Sequence, residues 1–394
     1  MTALARLFSE SFRAFFLLAA LWATGAMALW LWWLWQNQFG AGVDLPTALA
    51  PSQWHAHELI FGFGMAATAG FFLTAAPNWT GKPVAGRFFI AAMAGLWAVG
   101  RGAVLLWGWV PPLLAAGLVL AFLALLTERM ARQLIRRPAS QEGLYLALLA
   151  LMTLSEARVL LEWLGLPGGE ATAGLRGGLA ALVALIVALG GKITPQFTRN
   201  ALTRAGAGTE ALPRTFAVLD RGATAAACLA AISASLALSD TLTGAAQLAL
   251  GAVQLLRMGF WRSRTVVRNP LLAALHLAML GTGIGALLQG AAAFGWGEEI
   301  GALHVGAIAG VGGMILAVMS RAPLAQTGRP LVAPRPVALA YALLPLAALA
   351  RWSAATFAEA YGPGAVAAAT LWCLAFALFA LSYAPAFWGP RKTP

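Results

Sequence analysis

The sequence predicts an all-α polytopic membrane protein with about twelve transmembrane helices, and three observations lead to this fold class. Sixty per cent of the 394 residues are hydrophobic, 10% are charged, and the mean hydropathy is +0.77, which excludes an ordinary soluble domain. Apolar runs of roughly 17 or more residues recur along the whole chain. The net charge of +12 is spread through the short segments between these runs, so it indicates membrane orientation rather than nucleic-acid binding.

In order, the apolar runs predict a single transmembrane domain of residues 1–394. The first run resembles a signal peptide, but it is too long and ends in tryptophan-rich interfacial sequence, so we predict an uncleaved helix. The predicted spans are residues 15–35, 55–76, 88–108, 110–127, 144–164, 174–190, 216–237, 241–258, 270–292, 300–320, 336–354 and 364–385.

The basic residues orient these spans. If the N-terminus lies inside, nearly every Lys and Arg falls in an inner segment, as the positive-inside rule requires. Both termini are therefore predicted to be cytoplasmic. The exceptions lie within the membrane or towards the outer side: Arg101, Arg158, Arg176 and Arg351.

Three of these exceptions are predicted a turn or two below the outer surface. Arg101, Arg158 and Arg351 lie in the third, fifth and eleventh spans, and an arginine in a span usually faces the bundle interior with a partner. One interpretation is a structural ion pair, because Glu156 and Glu162 flank Arg158. The other is a layer of three arginines that holds an anion such as the propionates of a haem. Arg176 begins its helix and is interpreted as a solvated charge.

The stretch Trp54–Pro83 carries two of the four histidines at the mouth of an apolar helix. His55 and His57 stand in the sequence Trp-His-Ala-His-Glu, followed by Glu58 and a glycine-rich run. The stretch ends in a polar turn that includes Asn78, Thr80 and Lys82.

A second segment repeats this pattern. His57 precedes Thr80-Gly81-Lys82-Pro83 by 23 residues, and His304 precedes Thr327-Gly328-Arg329-Pro330 by the same 23. An outward span ending near Arg101 or Arg351 follows each turn, so spans 2–3 and 10–11 are interpreted as related units. Further polar residues at the inner ends of spans are Lys192, Gln196, Arg199 and Asn200 after span 6, and Arg321 and Arg329 after span 10.

The topology places His55, His57 and His304 within about 6 Å of the outer ends of their helices, at 1.5 Å rise per residue. Neutral imidazole suits iron, copper and zinc, and the neighbouring glycines would let a flat macrocycle approach the backbone. The alternative is that the glycines pack helices and the histidines form hydrogen bonds. His55 and His57 are two residues apart and would point to roughly opposite faces of a regular helix. Either the first turn is irregular or the two histidines serve different partners, and the spacing favours two metals.

His276 is predicted at a different depth. It lies about 9 Å above the inner boundary, on the order of 15–18 Å below the other histidines in a hydrocarbon core about 30 Å thick. It is either a ligand of a second site, such as a lone axial haem ligand, or a hydrogen-bonded core histidine.

Other chemistry has little support in the sequence. The sequence contains no Walker loop, GxGxxG fingerprint, CxxCH haem attachment or HExxH motif. It therefore lacks the usual signatures of phosphate-loop and dinucleotide binding, of covalent haem attachment and of a zinc protease. Cys228 and Cys373 lie in apolar runs and are interpreted as inert.

Together, WHAHELIFGF, GFFLTAAPNWTGKP, GGKITPQFTRN and LHVGAIAGVGGMILAVMSRAPLAQTGRPL resemble the motifs of the NnrS family. The resemblance implies a haem- and copper-containing protein of the bacterial inner membrane, linked to the nitric oxide response of denitrifiers and to tolerance of nitrosative stress. Carried onto this chain, the motif histidines are His55, His57 and His304. The last family motif reads Gly-His-Thr-Gly-Arg, whereas Ala325-Gln326-Thr327-Gly328-Arg329 stands here. If that histidine binds metal in relatives, one ligand is lost.

The functional hypothesis is a haem- and copper-binding membrane protein that binds or processes nitric oxide, with His55, His57 and His304 as ligands and Arg101, Arg158 and Arg351 beside the cofactor. An electron donor would be a further partner, while the question of enzymatic activity stays open. Two alternatives are a twelve-helix secondary transporter, which also shows repeats and intramembrane charges, and a membrane factor for metal or haem assembly. A carrier favours polar residues at the midplane, whereas these histidines are predicted near the membrane surfaces.

Overall fold

The computed structural model describes residues 2–135 and 141–392, and this part of the chain contains helices and no β-strand. After a short helix, Ala3–Leu7, twelve long helices follow in order. They are α1 Ser11–Phe39, α2 Pro51–Thr80, α3 Arg87–Leu105, α4 Pro112–Leu134, α5 Gln141–Trp163, α6 Ala171–Arg204, α7 Ala217–Leu236, α8 Asp240–Met258, α9 Pro270–Ala293, α10 Glu299–Gln326, α11 Arg335–Thr356 and α12 Tyr361–Trp388. The basic residues Arg136 and Arg137, predicted to be inside, lie outside the described residues.

A long helix lies at each of the twelve predicted spans, and eleven of them are long and apolar enough to cross a membrane. These findings confirm the predicted class, an all-α multi-pass membrane protein. Helix α6 was predicted to end at residue 190, but it continues to Arg204. The polar motif that contains Lys192, Gln196 and Asn200 is therefore helical, even though Pro195 lies within it.

Of the long helices in the described chain, only α8 is too polar to count as a candidate membrane span. Its apolar sequence is interrupted by Gln247, Gln254 and Arg257. Its packing nevertheless resembles that of a span. Ser233 Oγ of α7 lies 2.7 Å from Thr243 Oγ1 at one end of the helix pair. At the other end, Arg257 of α8 contacts Asp220 of α7 at 3.3 Å. Helix α8 thus runs back along the full length of α7.

The chain divides into two compact units. Unit 1 comprises Met1–Gly178, Ala322–Pro330 and Phe376–Pro394, and unit 2 comprises Leu179–Arg321 and Leu331–Ala375. Each unit contains one helix with a π-helical turn, Glu58–Gly64 in α2 of unit 1 and Gly306–Gly312 in α10 of unit 2. Both π turns begin within two residues of a motif histidine, so the predicted repeat extends to an unusual backbone feature. Such turns are rare and often occur at functional sites.

Within unit 1 the two ends of the chain meet. Arg13 at the start of α1 donates to the carbonyl oxygens of Ala386, Phe387 and Gly389 at the end of α12. The termini therefore lie at the same end of unit 1, as expected for an even number of crossings. Eleven crossings would separate them, so we expect α8 to cross the membrane as well.

Candidate histidine–carboxylate site

The candidate site is built on the π turn of α2 in unit 1. His57 and Glu58 are both completely buried, and His57 Nδ1 lies 2.9 Å from Glu58 Oε1. Consecutive residues of a regular helix do not face each other. His55 and His57 both lie in the regular α-helical segment Pro51–His57, and the π turn begins only after them, at Glu58, so the irregular first turn offered as one explanation of their spacing was wrong.

Three donors surround the carboxylate of Glu58. Arg101 Nη1 donates to Oε1 at 2.9 Å, and the indole Nε1 of Trp22 donates to Oε2 at 2.8 Å. A buried carboxylate with an arginine and an indole as donors is stabilised as the anion, which can only accept hydrogen bonds. The Nδ1–H group of His57 therefore donates a hydrogen bond to Glu58, and in the neutral ring Nε2 then carries the lone pair.

The free nitrogen of His57 faces a second carboxylate. His57 Nε2 lies 3.6 Å from Glu156 Oε1 of α5. Within the described chain, neither His57 Nε2 nor Glu156 Oε2 has a hydrogen-bond partner, and Glu156 is only 2% exposed. Two buried groups that both present lone pairs need a cation or a proton between them.

Aromatic side chains close the site against water. The ring centroids of Phe61 and Trp163 lie 5.3 and 4.8 Å from that of His57. Trp97 donates to the carbonyl oxygen of Gly62 at 3.1 Å, which satisfies a backbone group of the π turn. Trp163 in turn donates to the side chain of Gln53 at 2.8 Å. The low-polarity walls strengthen every charge interaction inside them.

The sequence-predicted arginines of unit 1 have separate roles. Arg101 belongs to the site through Glu58, as described. Arg158 pairs with Glu170 at 2.5 Å, so the expectation of an ion pair is confirmed but the partner suggested by the sequence was wrong. Glu156 instead faces His57, and Glu162 accepts a hydrogen bond from the backbone N–H of Ala171 at 2.5 Å.

His55 has different surroundings from His57. Its ring is half-buried and stacks on Trp30, with centroids 4.4 Å apart and an interplanar angle of 17°. The two histidines therefore serve different partners, which was the second explanation offered by their spacing.

In unit 2, the histidine that corresponds to His57 has no adjacent carboxylate. His304 is half-buried, and its Nδ1 lies 2.7 Å from the carbonyl oxygen of Ile300 one turn earlier. Val305 occupies the position that Glu58 has in unit 1. Arg351 of α11 is also half-buried, and its NH1 has no hydrogen-bond partner within the described chain.

His276 is a hydrogen-bonded core histidine. Its Nε2 lies 2.8 Å from Thr198 Oγ1, and its Nδ1 lies 2.8 Å from Ser263 Oγ. Both ring nitrogens are engaged, so this arrangement matches the second of the two interpretations of His276.

The polar motifs at the helix ends make structural contacts. In unit 1, Thr80 donates to Gln133 at 3.1 Å, Lys82 donates to the carbonyl of Arg132, and Asn78 bonds within its own helix. Arg329 donates to the carbonyl of Pro385 at 2.6 Å.

Unit 2 shows the same kind of contact. The guanidinium of Arg321 lies 3.7 Å from the ring centroid of Phe197, Gln196 donates to Asn200 at 2.9 Å, and Arg199 donates to the carbonyl of Pro213 at 2.5 Å. Lys192 is exposed on α6.

The glycines beside the motif histidines pack helices. A Cβ atom at Gly62 would lie 2.8 Å from Trp22 Nε1, and one at Gly312 would lie 2.5 Å from Trp372. The space that was expected to admit a flat macrocycle at these two positions is filled by side chains. Haem therefore does not fit against Gly62 at His57, because Trp22, Phe61 and Trp163 occupy the surroundings.

A single metal ion fits the His57 site better. The described residues contain no group of three or more His, Cys, Asp and Glu side chains arranged to hold a metal, so the protein would supply His57 and Glu156 only. Metal–nitrogen and metal–oxygen bonds are about 2.0–2.2 Å long, and two such donors can lie 3.6 Å apart. The Glu58–His57 hydrogen bond is the outer-shell contact that orients a metal-ligating histidine.

Two functional residues of the site were missed as such by sequence reasoning. Trp22 has no local signal, because its partner Glu58 is in a different helix. Glu156 was considered as a neighbour of Arg158 and as an intramembrane charge, but not as a partner of His57, although a carboxylate inside an apolar run is itself a signal of function.

Comparison with known proteins agrees with the motif resemblance. A family model described as NnrS protein matches residues 6–391 of the chain. No curated protein matches it. The chain therefore belongs to the NnrS family, a family of membrane proteins linked to the nitric oxide response.

Proposed function

We propose that this protein is a haem- and copper-binding protein of the bacterial inner membrane that binds nitric oxide or a related diatomic molecule, with His57 and Glu156 holding the copper ion. The observation that carries this proposal is the buried pair of His57 Nε2 and Glu156 Oε1, which lie 3.6 Å apart, too far for a direct hydrogen bond. Nitrosative-stress tolerance, implied by the family resemblance, is the physiological role proposed for this binding.

Copper suits the donor atoms of this site and is also the metal that the family resemblance implies. The donors are one imidazole nitrogen and a carboxylate. Among the divalent ions of the first transition row, Cu²⁺ binds most tightly to a given site of this kind. With only two protein groups, the ion would keep coordination positions for a small ligand. A bound copper ion would supply direct binding of nitric oxide and one-electron chemistry.

The remaining residues prepare the site for that ion. Glu58 accepts a hydrogen bond from the Nδ1–H group of His57, which leaves the lone pair of the neutral ring on Nε2. Arg101 and Trp22 hold the Glu58 carboxylate in place and compensate its charge. Phe61 and Trp163 exclude water, which would otherwise compete for the ion and hydrate Glu156.

The haem proposal depends on the other two motif histidines. His304 has one ring nitrogen fixed by the Ile300 carbonyl, which is a common arrangement for an oriented ligand, and its other nitrogen would be the one to bind iron. His55 is also half-buried near the start of its helix. Arg351, whose Nη1 atom has no hydrogen-bond partner among the described residues, is the arginine of unit 2 proposed to contact a propionate.

The copper site is tested by metal analysis of the full-length protein purified after growth with copper and haem. We expect about one copper per chain in the wild type and a loss of at least tenfold in His57→Ala and Glu156→Gln. His276→Ala is the matched control, because it also removes a buried histidine, but one whose two ring nitrogens are hydrogen-bonded. This variant should keep its copper. Nitric oxide should change the copper signal in electron paramagnetic resonance spectra of the wild type.

Two outcomes would contradict the proposal. Wild-type protein without stoichiometric copper would remove the metal site and favour the secondary-transporter alternative. Equal copper in the wild type and both site variants would place the ion elsewhere.

A further inference from the structure

A cavity of about 690 Å³ opens at the end of unit 1 where the chain termini meet. It lies between the N-terminal segment, the second half of α2 and the end of α12. The volume is within the range of about 300–1,000 Å³ that is typical of sites for small molecules. None of the residues at the histidine–carboxylate site lines it.

The charged lining of the cavity is mostly positive. Arg6, Arg13 and Arg391 line it together with one carboxylate, Glu10. Arg13 is only 2% exposed and lies 2.7 Å from Glu10, while Arg391 shares the same carboxylate. One glutamate therefore serves two of the three arginines.

Part of the positive charge has a structural role. Arg6 donates to the carbonyl of Trp388 at 2.9 Å, and Arg13 donates to three carbonyls of the same helix end. These bonds satisfy the last carbonyls of α12 and complement the negative end of its dipole, equivalent to roughly half a charge. That half charge and Glu10 together do not balance three arginines.

A fourth arginine increases the imbalance. Arg329 donates to the carbonyl of Pro385 at the same helix end. Burial and the nearby charge of Arg13 lower the pKa of Arg329 from its ordinary value. Cations crowded in this way are stabilised by an anion that enters the cavity.

Apolar side chains also line the cavity. Phe12, Leu73, Val84 and Ala85 line it, and Val84 is 71% exposed. Phe88 nearby is 77% exposed, as expected for a side chain that faces lipid. A ligand with an anionic head and a hydrocarbon part could contact both the arginines and the apolar side chains of the lining. A free anion would contact only the arginines.

We propose that this cavity binds the phosphate group of an anionic phospholipid, with Arg6 and Arg391 as its principal contacts and the acyl chains along the Val84 side. Basic pockets between transmembrane helices on the cytoplasmic side are suited to such head groups, and arginine is well suited to phosphate oxygens. The positive-inside topology predicts that this end of unit 1 faces the cytoplasmic leaflet.

The test uses the full-length protein extracted in mild detergent and examined by native mass spectrometry. We expect retained phosphatidylglycerol or cardiolipin in the wild type, and at least tenfold less in the double variant Arg6→Gln/Arg391→Gln. Arg87→Gln is the matched control, because Arg87 is an exposed arginine that stacks on Phe88 at 4.7 Å and does not line the cavity. It should retain lipid like the wild type.

Asn78→Asp provides a variant that keeps every arginine contact with α12. Asn78 is exposed and lines the cavity, so an added negative charge should repel the head group and lower retention without loss of fold. Thermal unfolding of delipidated protein gives a second reading. Phosphatidylglycerol should raise Tm, while phosphatidylcholine and inorganic phosphate should not.

Three results would overturn the proposal. One is equal retention of anionic and zwitterionic lipid by the wild type. Another is unchanged retention in both the double arginine variant and Asn78→Asp. A rise in Tm with millimolar inorganic phosphate that equals the rise with lipid would reassign the cavity to a soluble anion.

Discussion

His57 Nδ1 lies 2.9 Å from Oε1 of Glu58, although the two residues are consecutive in one helix. Both residues have right-handed helical backbone angles, and the π turn begins at Glu58. The contact sets the tautomer of His57, and the tautomer decides that the lone pair faces Glu156. In this way a contact between two consecutive residues determines the chemistry of a buried site.

Loss of the buried Glu58–Arg101 pair should lower the stability of the protein much more than loss of the partly exposed Glu170–Arg158 pair. Arg101→Leu leaves the buried Glu58 carboxylate without its countercharge, and removal of one partner of a buried pair costs about 3–5 kcal/mol. Arg158→Leu is the control, because Glu170 is 47% exposed and a surface pair contributes about 0–1 kcal/mol. Unfolding of both variants in the same detergent measures the difference. Similar losses of stability would contradict the role assigned to Arg101.

Gly62 should tolerate no larger residue, in contrast to Gly95 of α3. A methyl group at Gly62 would lie 2.8 Å from Trp22 Nε1 and 3.1 Å from Glu58 Oε2, so Gly62→Ala should break the Trp22–Glu58 hydrogen bond. We expect a loss of about 1–3 kcal/mol, as for overpacking, together with lower copper content. At Gly95 no atom lies within 4 Å, and Gly95→Ala should be neutral or stabilising by up to about 1 kcal/mol. The two variants are compared by thermal unfolding and metal analysis, and equal copper in both would argue against the Trp22 contact.

Haem ligation should depend on His304 or His55 and not on His276. In protein purified with haem, His304→Ala and His55→Ala should shift or abolish the Soret band if these residues supply axial ligands. His276→Ala should leave the spectrum unchanged, because both nitrogens of His276 are hydrogen-bonded. Optical spectra of the three variants make this comparison. A change only in the His276 variant would reverse the assignment.

Helix α8 should cross the membrane in spite of its glutamines. In a Cys228→Ala/Cys373→Ala background, Leu238→Cys lies before α8 and Thr265→Cys lies after it, and both positions are exposed. A membrane-impermeant maleimide should label Leu238→Cys from the outside of the cell and Thr265→Cys only in inverted vesicles. Labelling of both from the same side would exclude α8 as a span and would leave an odd number of crossings.

The residue types of the site were predictable, but their pairing was only partly so. His57, Glu58 and Arg101 stand in recognisable patterns, because histidine, carboxylate and arginine are unusual in apolar runs. The sequence neighbours of Arg158 suggested the wrong partner, since residues close in sequence need not lie on the same face of a helix. The role of Gly62 depended on Trp22, a residue from another helix.

The sequence by itself determined the class of the fold, the positions of the twelve long helices and their repeated motif. Hydropathy and charge are properties of the local sequence, and a helix in a membrane satisfies its own backbone hydrogen bonds, so no distant contact is needed to predict it. Only the tertiary structure decided that Glu156 faces His57, that the glycine spaces are filled and that both nitrogens of His276 are engaged. These facts depend on which helix faces meet and where a helix departs from regular geometry. The packing of α5 against α2 is what places the Glu156 carboxylate opposite Nε2 of His57.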